Sequence, residues 1–234
     1  MMAKGKKVKS SIKEEKKPEL KADENKTDGK GKELYWIIGI MAICLLIIIL
    51  VPYISKELNT FKYQSLTFTK EKFGEISVYH YYYSFSYNGE NYQYNLFLRN
   101  DPRKNNVRVS GEITYPSPSE TIYVSINGEE MMKCKNSLRD IYSLAGFMQD
   151  NMFKVKSGYP DEEFAEKNNL TYVDCGTHPD SMVIVIKEGN ETKIENQGNC
   201  YTINIADCQI LDAIEKFEVQ SVIDAKKRAK TSNL

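Results

Sequence analysis

The chain has 234 residues, and its 32 lysines and arginines are balanced by 32 aspartates and glutamates. A formally neutral chain has no electrostatic drive toward nucleic acid, which sets DNA and RNA aside as partners. The sequence also holds no G-x-S-x-G, H-E-x-x-H, P-loop or Rossmann glycine pattern, so no cofactor is expected and a non-enzymatic role leads.

Residues 1–34 are polar, without an aromatic residue, and interleave eleven lysines with seven acids. They offer too little apolar surface to offset the entropy of ordering, which predicts a disordered tail. Residues 35–54 then read YWIIGIMAICLLIIILVPYI, with no formal charge. At the helical rise this run spans roughly 30 Å, the thickness of a bilayer's hydrocarbon core. Tyr35 and Trp36 stand at one end and Tyr53 at the other, where amphipathic rings favour the membrane interface. No small-x-small cleavage site follows, so an uncleaved signal anchor is expected. The nearest lysines beyond the run, Lys56, Lys62 and Lys70, are widely spaced. This asymmetry predicts a cytoplasmic N-terminus, a single pass through the cell membrane and an extracytoplasmic domain over 55–234.

That domain reads as α+β, with a hairpin- and meander-rich half followed by the order β-α-β-β-β-α. Its clearest signal is a hairpin of Val78–Tyr87 with Asn91–Arg99 around Asn88-Gly89, a dipeptide suited to a type I′ turn. Counting outward pairs Tyr87 with Glu90, Phe85 with Tyr92, Tyr83 with Tyr94, Tyr81 with Leu96 and Tyr79 with Leu98. The other face carries Ser86, Ser84, Tyr82 and His80 opposite Asn91, Gln93, Asn95 and Phe97. A one-residue slip would mix the two sets. Further strands are expected at Tyr63–Thr69, Val107–Thr114, Thr121–Ile126, Tyr172–Asp174, Met182–Ile186 and Tyr201–Ile205. A helix capped by Ser137 should bury Leu138, Ile141, Ala145, Met148 and Met152. A last helix capped by Asp207 should bury Ile210, Leu211, Ile214, Phe217 and Val222, with Lys226, Lys227 and Arg228 at its dipole-complementing end.

LFLRNDPR (residues 96–103) together with NCYTINIADCQILDAIEKF (residues 199–217) resembles uncharacterised single-pass surface proteins of archaea. The resemblance covers most of the outer domain, implies a membrane-anchored surface protein, and carries over no functional residue.

Cys44 lies in the apolar run, where it serves as a small apolar side chain. Cys134, Cys175, Cys200 and Cys208 belong to the outer domain, and an even number in an oxidising compartment predicts disulfides. If 201–205 is extended, Cys200 and Cys208 stand about 20 Å apart, whereas a bridge needs Cα atoms within roughly 7 Å. That disfavours joining those two and leaves two pairings open. Cys175-Gly-Thr-His178 has a spacing that suits metal ligands, but the chain holds only one other histidine, His80, so no metal is expected. Cys134-Lys-Asn-Ser137, a cysteine opening a helix, resembles a monothiol thioredoxin-like site. Asn169-Leu-Thr171 and Asn190-Glu-Thr192 are glycosylation sequons in expected turns.

Tyrosine is abundant, sixteen in the chain, and crowds residues 79–94. The odd-numbered face of the hairpin is expected to pack under helices, leaving His80, Tyr82 and Phe97 opposite as a candidate binding surface. The leading expectation is a signal-anchored surface or envelope protein. Its outer domain would bind a protein, a glycan or further copies of itself as a homo-oligomer. Two alternatives stand beside it: an anchored enzyme with a thiol or metal site near Cys134, Cys175 and His178, and an accessory subunit of a membrane complex.

Overall fold

A computed structural model describes residues 28–231, and the chain divides into two compact units, 1–53 and 54–234. Most of the lysine-rich tail, up to residue 27, lies outside the described residues. Helix α1 (Asp28–Asn59) contains the apolar run and continues through Pro52. Its stretch from Leu34 to Asn59 has a mean hydropathy of 3.0 and is long and apolar enough to cross a membrane. None of its most apolar window is buried in protein, unlike the core helix of a soluble fold.

The second unit is a mixed α+β assembly with two sheets. The first is a four-stranded antiparallel meander in the order β1 (Thr60–Tyr63), β2 (Leu66–Phe73), β3 (Ile76–Tyr87) and β4 (Glu90–Leu98). The β3–β4 register pairs Tyr87 with Glu90 through Tyr79 with Leu98, as the turn and the alternation require. Asn88 and Gly89 both take positive φ, 51° and 81°, which a type I′ turn demands and few other dipeptides tolerate. The single strand expected over Tyr63–Thr69 is instead two strands, because Gln64, at φ 51°, turns the chain between β1 and β2.

Six strands form the second sheet: β5 (Arg108–Ser110), β6 (Thr121–Ile126), β7 (Lys154–Gly158), β8 (Met182–Glu188), β9 (Lys193–Gln197) and β10 (Cys200–Ile205). Their order is β5-β9-β10-β8-β6-β7. Strands β7, β6, β8 and β10 run parallel, while β9 is antiparallel to β10 and carries β5 parallel to itself. Met182–Ile186 is buried on both faces, which is why a continuous apolar run and not an alternating one encodes a central parallel strand.

The helices are α2 (Gly128–Met131), α3 (Ser137–Asp150), α4 (Glu162–Lys167) and α5 (Ile210–Thr231). Helices α3 and α5 lie between the sheets and share one core with both. Tyr94 of β4 meets Phe147 of α3 edge-on, with ring centroids 5.5 Å apart, and Tyr201 of β10 meets Phe217 of α5 at 5.8 Å. Leu66, Phe68, Leu96 and Leu98 close the core from the meander side, and Ile184, Ile186 and Ile203 from the other. Each fully buried side chain of this kind contributes roughly 1.5–3 kcal/mol.

Because α5 is covered from two sides, its polar residues are drawn inward and must find partners. Glu215 accepts the backbone N–H groups of Arg99 (2.5 Å) and Asn100 (3.1 Å), and Asp224 accepts that of Ile113 (3.0 Å). Such an all-round helix has no single apolar stripe; Leu211 is only half-buried, while Ala213, Val219 and Ile223 join the core.

Several expected details are corrected. Ser137 is the first buried residue of α3 and not its cap; Asn136, at φ 65°, precedes it without a side-chain cap bond. The buried stripe of α3 is Ile141, Leu144, Phe147 and Met148, because it faces Tyr94 and α5, and Leu138 is exposed. Asp207 does not cap α5: it and Cys208 turn the chain at φ 48° and 57°, two residues before the helix begins. Val107–Thr114 contracts to β5, and Tyr172–Asp174 to a single bridge between Tyr172 and Tyr159. The short elements α2, β7, α4 and β9 were not expected from the sequence.

Candidate binding groove

Beyond the His80–Thr69 pair, β3 and β4 continue as a two-stranded arm whose odd-numbered face turns toward the helices. Rings run along it: Tyr81 to Tyr83 (6.1 Å), Tyr83 to Phe85 (6.2 Å) and Phe85 to Tyr92 (5.8 Å). With α3, α5 and the segment 115–118, this face encloses an open groove of about 470 Å³. Phe85, Phe147, Phe153, Val222 and Ala229 supply much of its apolar wall. A volume and lining of this kind match those of small-ligand pockets.

Polar atoms converge on the apolar wall. The Tyr83 hydroxyl donates to Asn151 Oδ1 at 2.6 Å, and Asn151 Nδ2 donates to the Phe147 carbonyl at 2.7 Å, which fixes the C-terminal turn of α3. Tyr115 stacks on Phe153 at 5.1 Å; its ring is half-buried, but its hydroxyl is sealed from solvent without a well-formed hydrogen bond. Lys226 stands at the rim, donating to the Ser65 carbonyl at 2.8 Å, with its ammonium 6.0 Å from the Tyr81 ring.

Below the groove lies Glu218 of α5, an electrostatic neighbour of Tyr83, Tyr94 and Tyr115. Burial, reinforced by Glu215, pushes its pKa up to about 8, so the carboxyl is neutral at pH 7. Burial likewise raises the Tyr83, Tyr94 and Tyr115 phenols above their ordinary range. Glu215 is raised to about 7 by burial, against the lowering effect of its two backbone donors. The carboxyl of Glu218, beneath the groove, is therefore mostly protonated near neutrality.

The residues singled out in the sequence fall elsewhere. His80, Tyr82 and Phe97 share the outer face of the meander. His80 contacts Glu71 Oε1 at 2.8 Å and Asn95 Oδ1 at 3.1 Å, and its ring stacks on Phe97 at 4.4 Å. Tyr82 and Phe97 remain exposed.

The sulfurs of Cys134 and Cys208 lie at bonding distance, as do those of Cys175 and Cys200, with Cα atoms 5.4 Å apart in each pair. The first pair ties the α2–α3 link to the turn before α5. The second holds the loop after α4 against β10, where Val173, Val183, Val185 and Cys200 form a second small core. Gly158 makes room for the Val173 side chain of that loop: a Cβ there would stand 2.4 Å from it.

His178 lies tilted against Tyr123 with ring centroids 3.9 Å apart, and the Cys175 sulfur is at bonding distance from that of Cys200. Among the described residues no group of three or more His, Cys, Asp or Glu side chains is placed to hold a metal ion. Asn169 is exposed at φ 52° after α4; Asn190 is exposed too, but the Thr192 hydroxyl of its sequon is bonded to Ala206.

Sequence reasoning placed the odd-numbered ring face correctly under helices but did not find the groove. Its far wall comes from α5, more than 130 residues along the chain, and from Tyr115 and Phe153 in segments without periodic signal. No protein-family model matches the chain, and no curated protein or solved structure is significantly similar to it.

Proposed function

We propose that this chain is a single-pass, signal-anchored envelope protein whose domain over 55–234 lies outside the cytoplasm and acts as a binding module. The anchor reading is supported by the unburied apolar helix, and the outer location by the two cysteine pairs at bonding distance, which persist in oxidising compartments. The binding reading rests on one observation, the aromatic groove of about 470 Å³. Tyrosine and phenylalanine offer large contact area at low entropic cost, and a rigid wall of them suits an apolar group of a protein or glycan partner. The same cysteine pairs weigh against the alternative of a thiol enzyme, which needs a free thiol.

The test is a photo-crosslinking amino acid placed at Ala225, an exposed residue of α5 that lines the groove, in the full chain in its native membrane. A discrete adduct from this position, absent when the same group stands at exposed Lys187 on the far sheet, is the expected result. Equal, diffuse labelling from both positions contradicts the binding role.

A further inference from the structure

The outer face of the meander changes character along its strands. At one end stand Phe73, Ile76, Val78 and Phe97; at the other, Ser84, Ser86, Asn91 and Gln93. The apolar end is open to solvent: Phe73 is 58% exposed, Ile76 61% and Phe97 49%. It is also a formed surface. Phe73 meets Phe97 edge-on at 6.2 Å, and Phe97 stacks on His80, whose two nitrogens are held by Glu71 and Asn95. Large exposed rings in fixed contact mark a surface that something covers.

Chain continuity names what covers it. Thr60 opens β1 only six residues after Ile54, the last residue of the apolar run, and residues 54–59 are helical, a rise of about 9 Å. Thr60 pairs with Thr69, Thr69 with His80, and His80 with Phe97, so all four lie in one row across the sheet. Strand β2 runs antiparallel to β1, so its end at Phe73 extends about 13 Å past that row, on the side where the chain enters the sheet. The polar end of the same face lies on the opposite side.

We propose that the β2–β3 turn with Phe73 and Ile76, flanked by Phe97, seats in the interfacial layer of the bilayer that holds α1. This rests on the anchor reading above. Aromatic and aliphatic tips on a short tether gain burial there without further chain ordering. Lys72 and Glu75, both exposed beside the tip, keep their charges in the headgroup layer.

Trp36 is the only tryptophan of the chain, which allows a direct test. The full chain is reconstituted in phosphatidylcholine vesicles with and without lipids brominated high on the acyl chain. Three forms are compared: the unaltered chain, Trp36→Phe with Phe73→Trp, and Trp36→Phe with Ser86→Trp. Positions 73 and 86 are both exposed, so neither change disturbs the core. Strong quenching of Trp36 reports the anchor. The expected result is comparable quenching, with a blue shift, of the indole introduced at position 73, and none of that at position 86. An indole at position 73 that is unquenched while Trp36 is quenched overturns this inference and leaves the anchor standing. A blue shift at position 73 that is insensitive to bromine assigns the surface to a protein neighbour and overturns it equally. Absence of quenching at Trp36 removes the anchor, and this inference with it.

Discussion

Glu218 shows how one residue couples the fold to solution conditions. Its carboxyl is buried between the meander and the second sheet, and its pKa of about 8 lies well above that of a solvated glutamate. In the unfolded chain the group ionises near its ordinary value; in the folded chain it stays protonated until about pH 8. The unfolded state therefore binds fewer protons between those values, and stability falls as pH rises through that window. Glu215, raised to about 7, acts in the same direction. Replacing Glu218 by Gln keeps the shape and removes its titration. Urea unfolding at pH 5 and pH 8 should show the native chain losing on the order of a few kcal/mol across the window. The E218Q chain should lose clearly less and be the more stable of the two at pH 8. None of this was legible in the sequence, where Glu218 reads as one more polar residue of an amphipathic helix. Only the burial of α5 on two sides gives it its chemistry.

Among the elements, the β3–β4 hairpin was the most legible, because its information is local. Asn88-Gly89 sets the turn, and the alternation of rings with Ser, Asn and Gln sets the register, so each signal checks the other. Strand β8 was legible by its apolar run, and α5 by its helical spacing. Strands β7 and β9 were missed because they are five residues long and carry Lys, Glu and Asn at positions that tertiary pairing, not propensity, makes extended. Helix α4, capped by Asp161 and rich in helix formers, is only six residues long and has no periodic apolar stripe.

The cysteine pairing lay between these extremes. The separation of Cys200 from Cys208 across an extended β10 correctly kept those two apart, but only the crossing of the 159–181 loop over the outer face of β10 joins Cys175 to Cys200. Peptide mapping of the unreduced native protein should yield Cys134–Cys208 and Cys175–Cys200 and no other pairs. Closing loops with sequence separations of 74 and 25 residues removes unfolded-chain entropy worth about 4 and about 3 kcal/mol. The double change Cys175→Ser with Cys200→Ser should therefore lower unfolding stability by about 3 kcal/mol, read from the denaturant midpoint.

For the whole molecule, composition carried the architecture and distance concealed the site. A run of twenty uncharged residues defines a membrane-length helix by length and hydropathy alone, with no need of tertiary information. The division into a helical unit and an α+β unit follows the same compositional break. The groove, by contrast, is assembled from the arm, the end of α3, the 115–118 segment and α5, and no local pattern announces it. The two cysteine pairs, the aromatic groove and the apolar turn near Phe73 fit the proposed account of a membrane-anchored binding domain outside the cytoplasm. Protease treatment of intact cells bearing epitope tags at both termini tests that account most directly. Digestion of the C-terminal tag and of residues 55–234, with the N-terminal tag retained on a membrane-bound fragment, is the predicted result. A C-terminal tag that survives until the cells are broken would contradict it.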